Sequence, residues 1–321
     1  MWLFVAIGAY FINAGVYLAD KFLLSKKIHS SIVYAFYVGI WSVFNLFLLV
    51  FDPWVPSFGE LMIDLAGGLL FLVTLVFWYK ALHQSEATRV VPIVGGLIPV
   101  FSLLMSSFFL GETMGNQQIL AFLILIAGGV LISVKRTKFY LLHKIVDRTR
   151  EIFGDSLGEI HARFRPTRRL ITNSIVSAFF FAAFYVLMKY IYIHQPFVGS
   201  FVWSRMGTFI GAIAILAVPS WRKGIMDYQH TATAPKSLGF FLTVRIFAAL
   251  AFIMLNWAIS LGNVALVSAL QGVQYLFFLI FAVIISMRFP QIFREEMGKE
   301  ILVQKLIGVG LVSLGLYILV I

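Results

Sequence analysis

Ten runs of mostly apolar residues, joined by short polar connections, constrain this chain more than any single motif does. They fall at 2–19, 31–51, 62–82, 90–110, 116–134, 170–192, 197–218, 240–259, 264–286 and 304–321. A helix of about 20 residues matches the hydrocarbon thickness of a bilayer. Lipid offers the backbone no hydrogen-bond partner, so spanning segments of this kind are expected as α-helices. Composition agrees: 61% of residues are hydrophobic and only 12% charged, with a mean hydropathy of +0.95. A water-soluble fold would lack the polar residues to cover such a core. The first run has no basic leader and is followed by further runs, so it is expected as a span and not as a signal peptide.

The one long polar stretch, between the fifth and sixth runs, carries ten basic residues: Lys135, Arg136, Lys138, Lys144, Arg148, Arg150, Arg163, Arg165, Arg168 and Arg169. Leu141, Leu142, Ile145, Val146, Ile152 and Phe153 recur among them at helical spacing. A solvated basic loop that sets topology is preferred here to an amphipathic surface helix. Of the 25 Lys and Arg residues, 22 lie in the odd-numbered connections or, as Lys80 and Lys305 do, at the run ends beside them. The positive-inside rule makes those connections cytoplasmic and both termini extracytoplasmic. The net charge of +11 is thereby assigned to topology, and no nucleic-acid partner is expected. The chain has no cysteine and six dispersed histidines, so no metal, disulfide or cofactor is expected.

The halves can be overlaid. An offset of 168 puts Tyr17 on Tyr185, Lys21 on Lys189 and Gly39 on Gly207; an offset of 177 puts Ala81 on Ala258, Val90 on Val267, Gly95 on Gly272 and Phe101 on Phe278. The expected fold is an all-α polytopic membrane protein, with ten transmembrane helices as two inverted five-helix repeats. Residues 1–134 form the first repeat, 135–169 a basic cytoplasmic linker and 170–321 the second repeat. An odd number of spans per repeat inverts the second copy, an architecture common among transporters with a midplane substrate site.

Ionisable residues inside spans are costly and are therefore functional candidates. Arg205 lies well inside the seventh run and Arg245 inside the eighth. Arginine cannot shed its charge. Each must meet a substrate anion, snorkel to the interface or pair with an acid such as Asp20 or Asp64. Asn13, Tyr17 and Asp20 share one helical face; Arg245, Phe252 and Asn256 share another, with Trp257 beside Asn256; Gln271, Gln274 and Phe278 share a third. Tyr185 repeats Tyr17 in the second half. Arg205, Arg245, Asn13, Tyr17, Asn256, Trp257, Gln271, Gln274 and Tyr185 are the candidate substrate contacts. No carboxylate lies at the centre of a span, which favours a facilitator or exchanger over a proton-driven pump; Asp20 and Glu86 are the candidates that keep ion coupling open. Pro92, Gly95, Pro99, Ser102 and Ser106 form a small, polar, helix-breaking stripe suited to a hydrated cavity or to close helix packing. For Gly207xxxGly211 and Gly128-Gly129, packing is the favoured reading.

Ala81-Leu82, Glu86-Ala87, Val91-Pro92, Pro99-Val100-Phe101 and Gly111-Glu112 occur in this order across the third and fourth runs. Ala258-Ile259, Gly262-Asn263-Val264 and Ser268-Ala269-Leu270 look like a second copy. The pattern resembles EamA-like members of the drug/metabolite transporter superfamily, over essentially the whole chain. The resemblance implies a ten-helix transporter whose first, third, fourth, sixth, eighth and ninth helices surround a cavity, with relatives that move amino acids, sugars, choline or nucleotide sugars. Two departures stand out. Gln274-Tyr275-Leu276 replaces a proline found in many members, so the second copy is expected to bend differently. Well-known ten-helix members also keep both termini in the cytoplasm, opposite to the charge count here.

The expected function is secondary transport of a small polar or anionic metabolite across the inner membrane by alternating access, with no enzymatic activity. The alternative is a flippase for a polyprenyl- or phospho-lipid head group. The expected partners are the metabolite and the lipid bilayer, with a homodimer left open.

Overall fold

The computed structural model describes residues 1–24, 31–84, 87–133, 168–231, 238–288 and 299–321. The basic linker up to residue 167, with its surface-helix alternative, lies outside these residues, as do Glu86 and the side chain of Asp20, whereas Arg168 and Arg169 belong to the helix that follows. The described chain is helical: α1 (Trp2–Leu24), α2 (Ser31–Trp41), α3 (Phe58–Gln84), α4 (Ala87–Phe109), α5 (Asn116–Ser133), α6 (Arg168–His194), α7 (Phe197–Ile215), α8 (Pro219–Thr231), α9 (Leu238–Leu261), α10 (Val264–Ala269), α11 (Gln271–Arg288) and α12 (Lys299–Val320).

Among the described residues, eight helical segments are long and apolar enough to cross a membrane: Trp2–Ala19, Ser31–Val50, Phe58–Leu82, Arg169–His194, Phe197–Ile215, Thr243–Leu261, Val264–Phe281 and Val303–Val320. Two shorter apolar helices, Ile93–Phe109 and Asn116–Ile132, accompany them. Phe4, Phe44, Phe47, Phe108, Leu104, Ile246 and Leu306 lie exposed on the outside of the bundle. Lipid tails solvate such residues without cost, and the chain is an integral membrane protein.

Local chemistry shapes three departures from straight helices. Beyond Trp41 the second span tightens into a 3₁₀ helix, Ser42–Val50. There the Ser42 hydroxyl donates to the Val38 carbonyl at 3.2 Å, and the Asn45 amide to the Ser42 carbonyl at 2.9 Å. The ninth run is broken into α10 and α11, where the Val273 N–H donates to the Leu270 carbonyl at 2.8 Å. α4, by contrast, runs unbroken through Pro92 and Pro99. The helix break is thus found in the copy that lacks the proline. The tightened turn brings Gly272 against Gly129 of α5, where a Cβ added to Gly129 would stand 2.7 Å from the Gly272 Cα. The third departure is α8, which occupies what the sequence reads as a loop. Its proline suits a first helical turn, Ile225 is buried, and Ser220, Trp221, Arg222, Lys223 and Asp227 are exposed.

Glycines set the closest helix crossings. Gly68 of α3 lies on the backbone of Ser204, Gly207 and Thr208 in α7, and Gly207 lies on the backbone of Leu65. Gly128 of α5 meets Gly308 and Val312 of α12 in the same way. Backbones approach this closely only where no side chain intervenes. Apolar clusters fill the remaining interior. One joins α1, α5, α9, α10 and α11; another joins α2, α3, α6 and α7.

Candidate functional site

The α3–α7 crossing fixes how far α7 turns toward the middle of the bundle, and so where Arg205 points. Arg205 stands eight residues beyond Phe197, about 12 Å of helical rise and close to the middle of a bilayer about 30 Å thick. It is only 4% exposed. Four phenylalanines from four helices surround its guanidinium. The guanidinium carbon lies 4.3 Å from the ring centre of Phe71 (α3), 4.8 Å from Phe252 (α9), and 5.7 Å from both Phe184 (α6) and Phe201 (α7). The rings also touch one another. Phe71 lies 4.9 Å from Phe184 and 5.0 Å from Phe252, and Phe201 lies 6.1 Å from Phe252.

The electron-rich ring faces attract the cation, at roughly 0.5–2 kcal/mol per contact. An ion withdrawn from water costs several kcal/mol, and each buried donor left unbonded adds about 1–3 kcal/mol. The rings offset part of that cost but accept no conventional hydrogen bond. Nε and Nη2 of Arg205 are both shut off from solvent and have no hydrogen-bond partner. A pairing of Arg205 with Asp64 does not form. Asp64, fully buried in α3, instead accepts from the Gln195 side-chain amide at 2.9 and 3.1 Å.

Polar residues continue from this box. The Tyr192 hydroxyl donates to Asn256 Oδ1 at 3.0 Å, and the Asn256 amide donates to the Phe252 carbonyl at 2.9 Å. The face shared by Phe252 and Asn256 therefore does point inward. Arg245 is half-buried on α9, seven residues from Phe252 and so roughly 10 Å along the axis, away from the box. Tyr17 and Tyr185 are half-buried and lie within electrostatic reach of each other and of Tyr10, whose hydroxyl donates to the Val267 carbonyl at 2.9 Å. Gln274 is buried with its Nε2 lacking a partner, and Gln271 sits beside Gly95. Asn13 is half-buried on α1. Trp257 is 43% exposed, whereas its neighbour Asn256 is fully buried.

One end of the bundle is tied by polar contacts. Lys189 Nζ donates to the carbonyls of Ser260 and Gly262 at 3.0 and 2.9 Å, closing the C-terminus of α9. The first N–H groups of α10 go to Glu112 Oε2 (from Val264, 3.2 Å) and to the capping Asn263 side chain (from Ala265, 3.0 Å, and Leu266, 3.1 Å). Glu112 reaches there because Gly111, at φ 65°, turns the chain back after α4. Trp203 Nε1 donates to the Trp54 carbonyl at 3.2 Å nearby on the α7 side.

A membrane-embedded bundle with a buried arginine, and with chain order and motifs of this kind, has a match among known families. Residues 1–134 match the EamA-like transporter family. The matched region covers α1 to α5. One solved crystal structure, described only as that of a protein, has a TM-score of 0.66 to this chain. It covers 99% of this chain and 97% of its own length at 14% identity, a likeness of fold alone. No curated protein matches the chain.

Sequence reasoning reached Arg205, Asn256, Tyr17 and Tyr185 through polarity inside apolar runs. It missed Phe71, Phe184, Phe201 and Tyr192. In a chain with 33 phenylalanines, four more in spans carry no signal until helix rotation is known.

Proposed function

We propose that the chain is a secondary transporter of a small polar, anionic metabolite, working by alternating access between two inverted five-helix repeats. The observation that carries the reading is Arg205, a permanent cation buried at mid-depth with two hydrogen-bond donors unmet. A group that costly is retained where a counter-charge arrives with the substrate.

Packing supports the repeat. Pairing α1 with α6, α2 with α7, α3 with α9, α4 with α10–α11 and α5 with α12 turns the contact of α1 with α9 into that of α6 with α3, and the contact of α1 with α11 into that of α6 with α4; all four are present. The self-matching pairs α2–α7, α4–α10 and α5–α12 are present as well. One relation is unequal. α3 packs along α7, while its counterpart α9 has no comparable packing on α2. A device with two exchangeable halves adopts such inequality when one seam is closed, and exchanging the halves would close the other. The concentration of basic residues in odd-numbered connections supports extracytoplasmic termini.

The test is counterflow into proteoliposomes loaded with a metabolite extract, with mass spectrometry identifying the solutes exchanged. Wild-type protein is expected to exchange a small set of anions, and Arg205→Gln is expected to lose them. Exchange no greater than in protein-free liposomes would rule out transport.

A further inference from the structure

We infer that Arg205 offers the edge formed by Nε and Nη2 as a two-pronged seat for a carboxylate, and that the molecule bound there is a small monocarboxylic acid with an apolar body. The inference rests on the proposal that this residue meets the transported substrate, and deepens it by naming the chemistry of the head group.

The two unmet donors, Nε and Nη2, lie on the same edge of the guanidinium. Their N–H bonds run parallel, the geometry that receives both oxygens of a carboxylate at once. A carboxylate meets each of the two N–H groups with its own oxygen and also balances the charge, which a single water cannot do. The four phenyl rings gathered around the guanidinium supply no conventional hydrogen-bond acceptor, so the Nε–Nη2 edge is left for a polar partner. Among the described residues, three acids have other partners: Asp64 accepts from Gln195, Glu112 from the Val264 N–H, and Glu60 from the Ser57 N–H at 2.8 Å.

Charge and lining narrow the class. A monoanion balances one guanidinium. A phosphate monoester brings more charge and more oxygens into a box of phenyl rings. Two cations of neighbouring helices do not help: Lys189 is held by two backbone carbonyls, and Arg245 lies two turns from Phe252. An amino acid would bring an ammonium group beside the Arg205 cation, and the four rings around that cation supply no carboxylate to balance it. The apolar rings favour an apolar body behind the head group. Phe71, Phe184, Phe201 and Phe252 sit on four different helices, so the relative movement of helices that alternating access requires is also what opens the edge.

The test uses the full-length protein and four probes sharing a phenyl body: 3-phenylpropionate, 3-phenylpropionamide, phenylalanine and phenyl phosphate. Thermal shift reads binding through mass action, and infrared spectra of carboxyl-¹³C 3-phenylpropionate read whether the bound carboxylate is held at both oxygens. The expected result is stabilisation of the wild type by 3-phenylpropionate alone, with the stretching bands of a doubly held carboxylate. Arg205→Lys, which keeps the charge but lacks the fork, is expected to weaken binding by about tenfold or more. Equal stabilisation by the amide, stronger stabilisation by phenylalanine or phenyl phosphate, an undiminished response in Arg205→Lys, or no response of the wild type to the acid would each overturn the inference. The infrared result on wild-type protein decides the matter if Arg205→Lys does not fold. Counterflow of the same probes separates the two readings. Flux of the amide without the acid leaves transport standing and removes the carboxylate seat; binding of the acid without any flux does the reverse.

Discussion

Lys189 of α6 reaches the last turn of α9, its Nζ donating to the Gly262 carbonyl at 2.9 Å. The same ammonium holds the Ser260 carbonyl, so one side chain bonds two of the carbonyls that a helix end leaves unmet. Hydrogen bonds to a charged group contribute about 1.5–3 kcal/mol. Lys189→Met is therefore expected to loosen this end of the bundle. The chain has no native cysteine, so Ser260→Cys serves as a clean reporter. Its labelling by a membrane-impermeant maleimide is expected to rise about tenfold in the Lys189→Met background, equivalent to ~1.4 kcal/mol of easier opening. Unchanged labelling would show that the contact does not hold α9 in place.

Phe71 makes the closest ring contact with Arg205. Phe71→Leu keeps an apolar side chain but removes the ring face, and is expected to lower stability by about 1–2 kcal/mol. In an Arg205→Met background the cation is gone and the loss attributable to it should vanish, a coupling measurable by a double-mutant cycle of detergent unfolding. Purely additive losses would mean that Phe71 acts only as core.

The α3–α7 crossing is expected to be intolerant of a single methyl group. A Cβ at Gly68 would meet the backbone of Ser204 and be 2.5 Å from the Thr208 nitrogen, whereas at Gly59, on the same helix, it meets nothing within 4 Å. Overpacking typically costs about 1–3 kcal/mol, and more where only backbone can give way. Gly68→Ala should unfold at distinctly lower temperature. Gly59→Ala should stay within about 1 kcal/mol of wild type, on the stabilising side. Melting the two proteins side by side compares them directly.

Asp64 and Gln195 satisfy each other in the interior. Asp64→Ala leaves the buried amide without an acceptor and is expected to cost about 1–3 kcal/mol. Asp64→Asn keeps a carbonyl oxygen and should cost less. Equal losses in a denaturant titration would indicate that Gln195 finds another partner when Asp64 is removed.

Sequence alone determined the medium and the elements. Hydropathy marks the apolar runs because the bilayer core sets a minimum length for each, and Arg205 stands out because a permanent charge is conspicuous in such a run. The α10–α11 break and α8 were less legible, since their backbone turns depend on what packs beside Gly272 and Ile225. Tertiary structure alone decided which residues meet. A helix that is apolar on every side carries little periodic signal of which side faces protein, so neither Phe71 nor Tyr192 could be singled out, and Trp257 could not be separated from Asn256. Rotation about each helix axis was set by close crossings such as Gly68 on α7. That rotation brings four rings separated widely in sequence around one guanidinium, and leaves its outer edge without a partner.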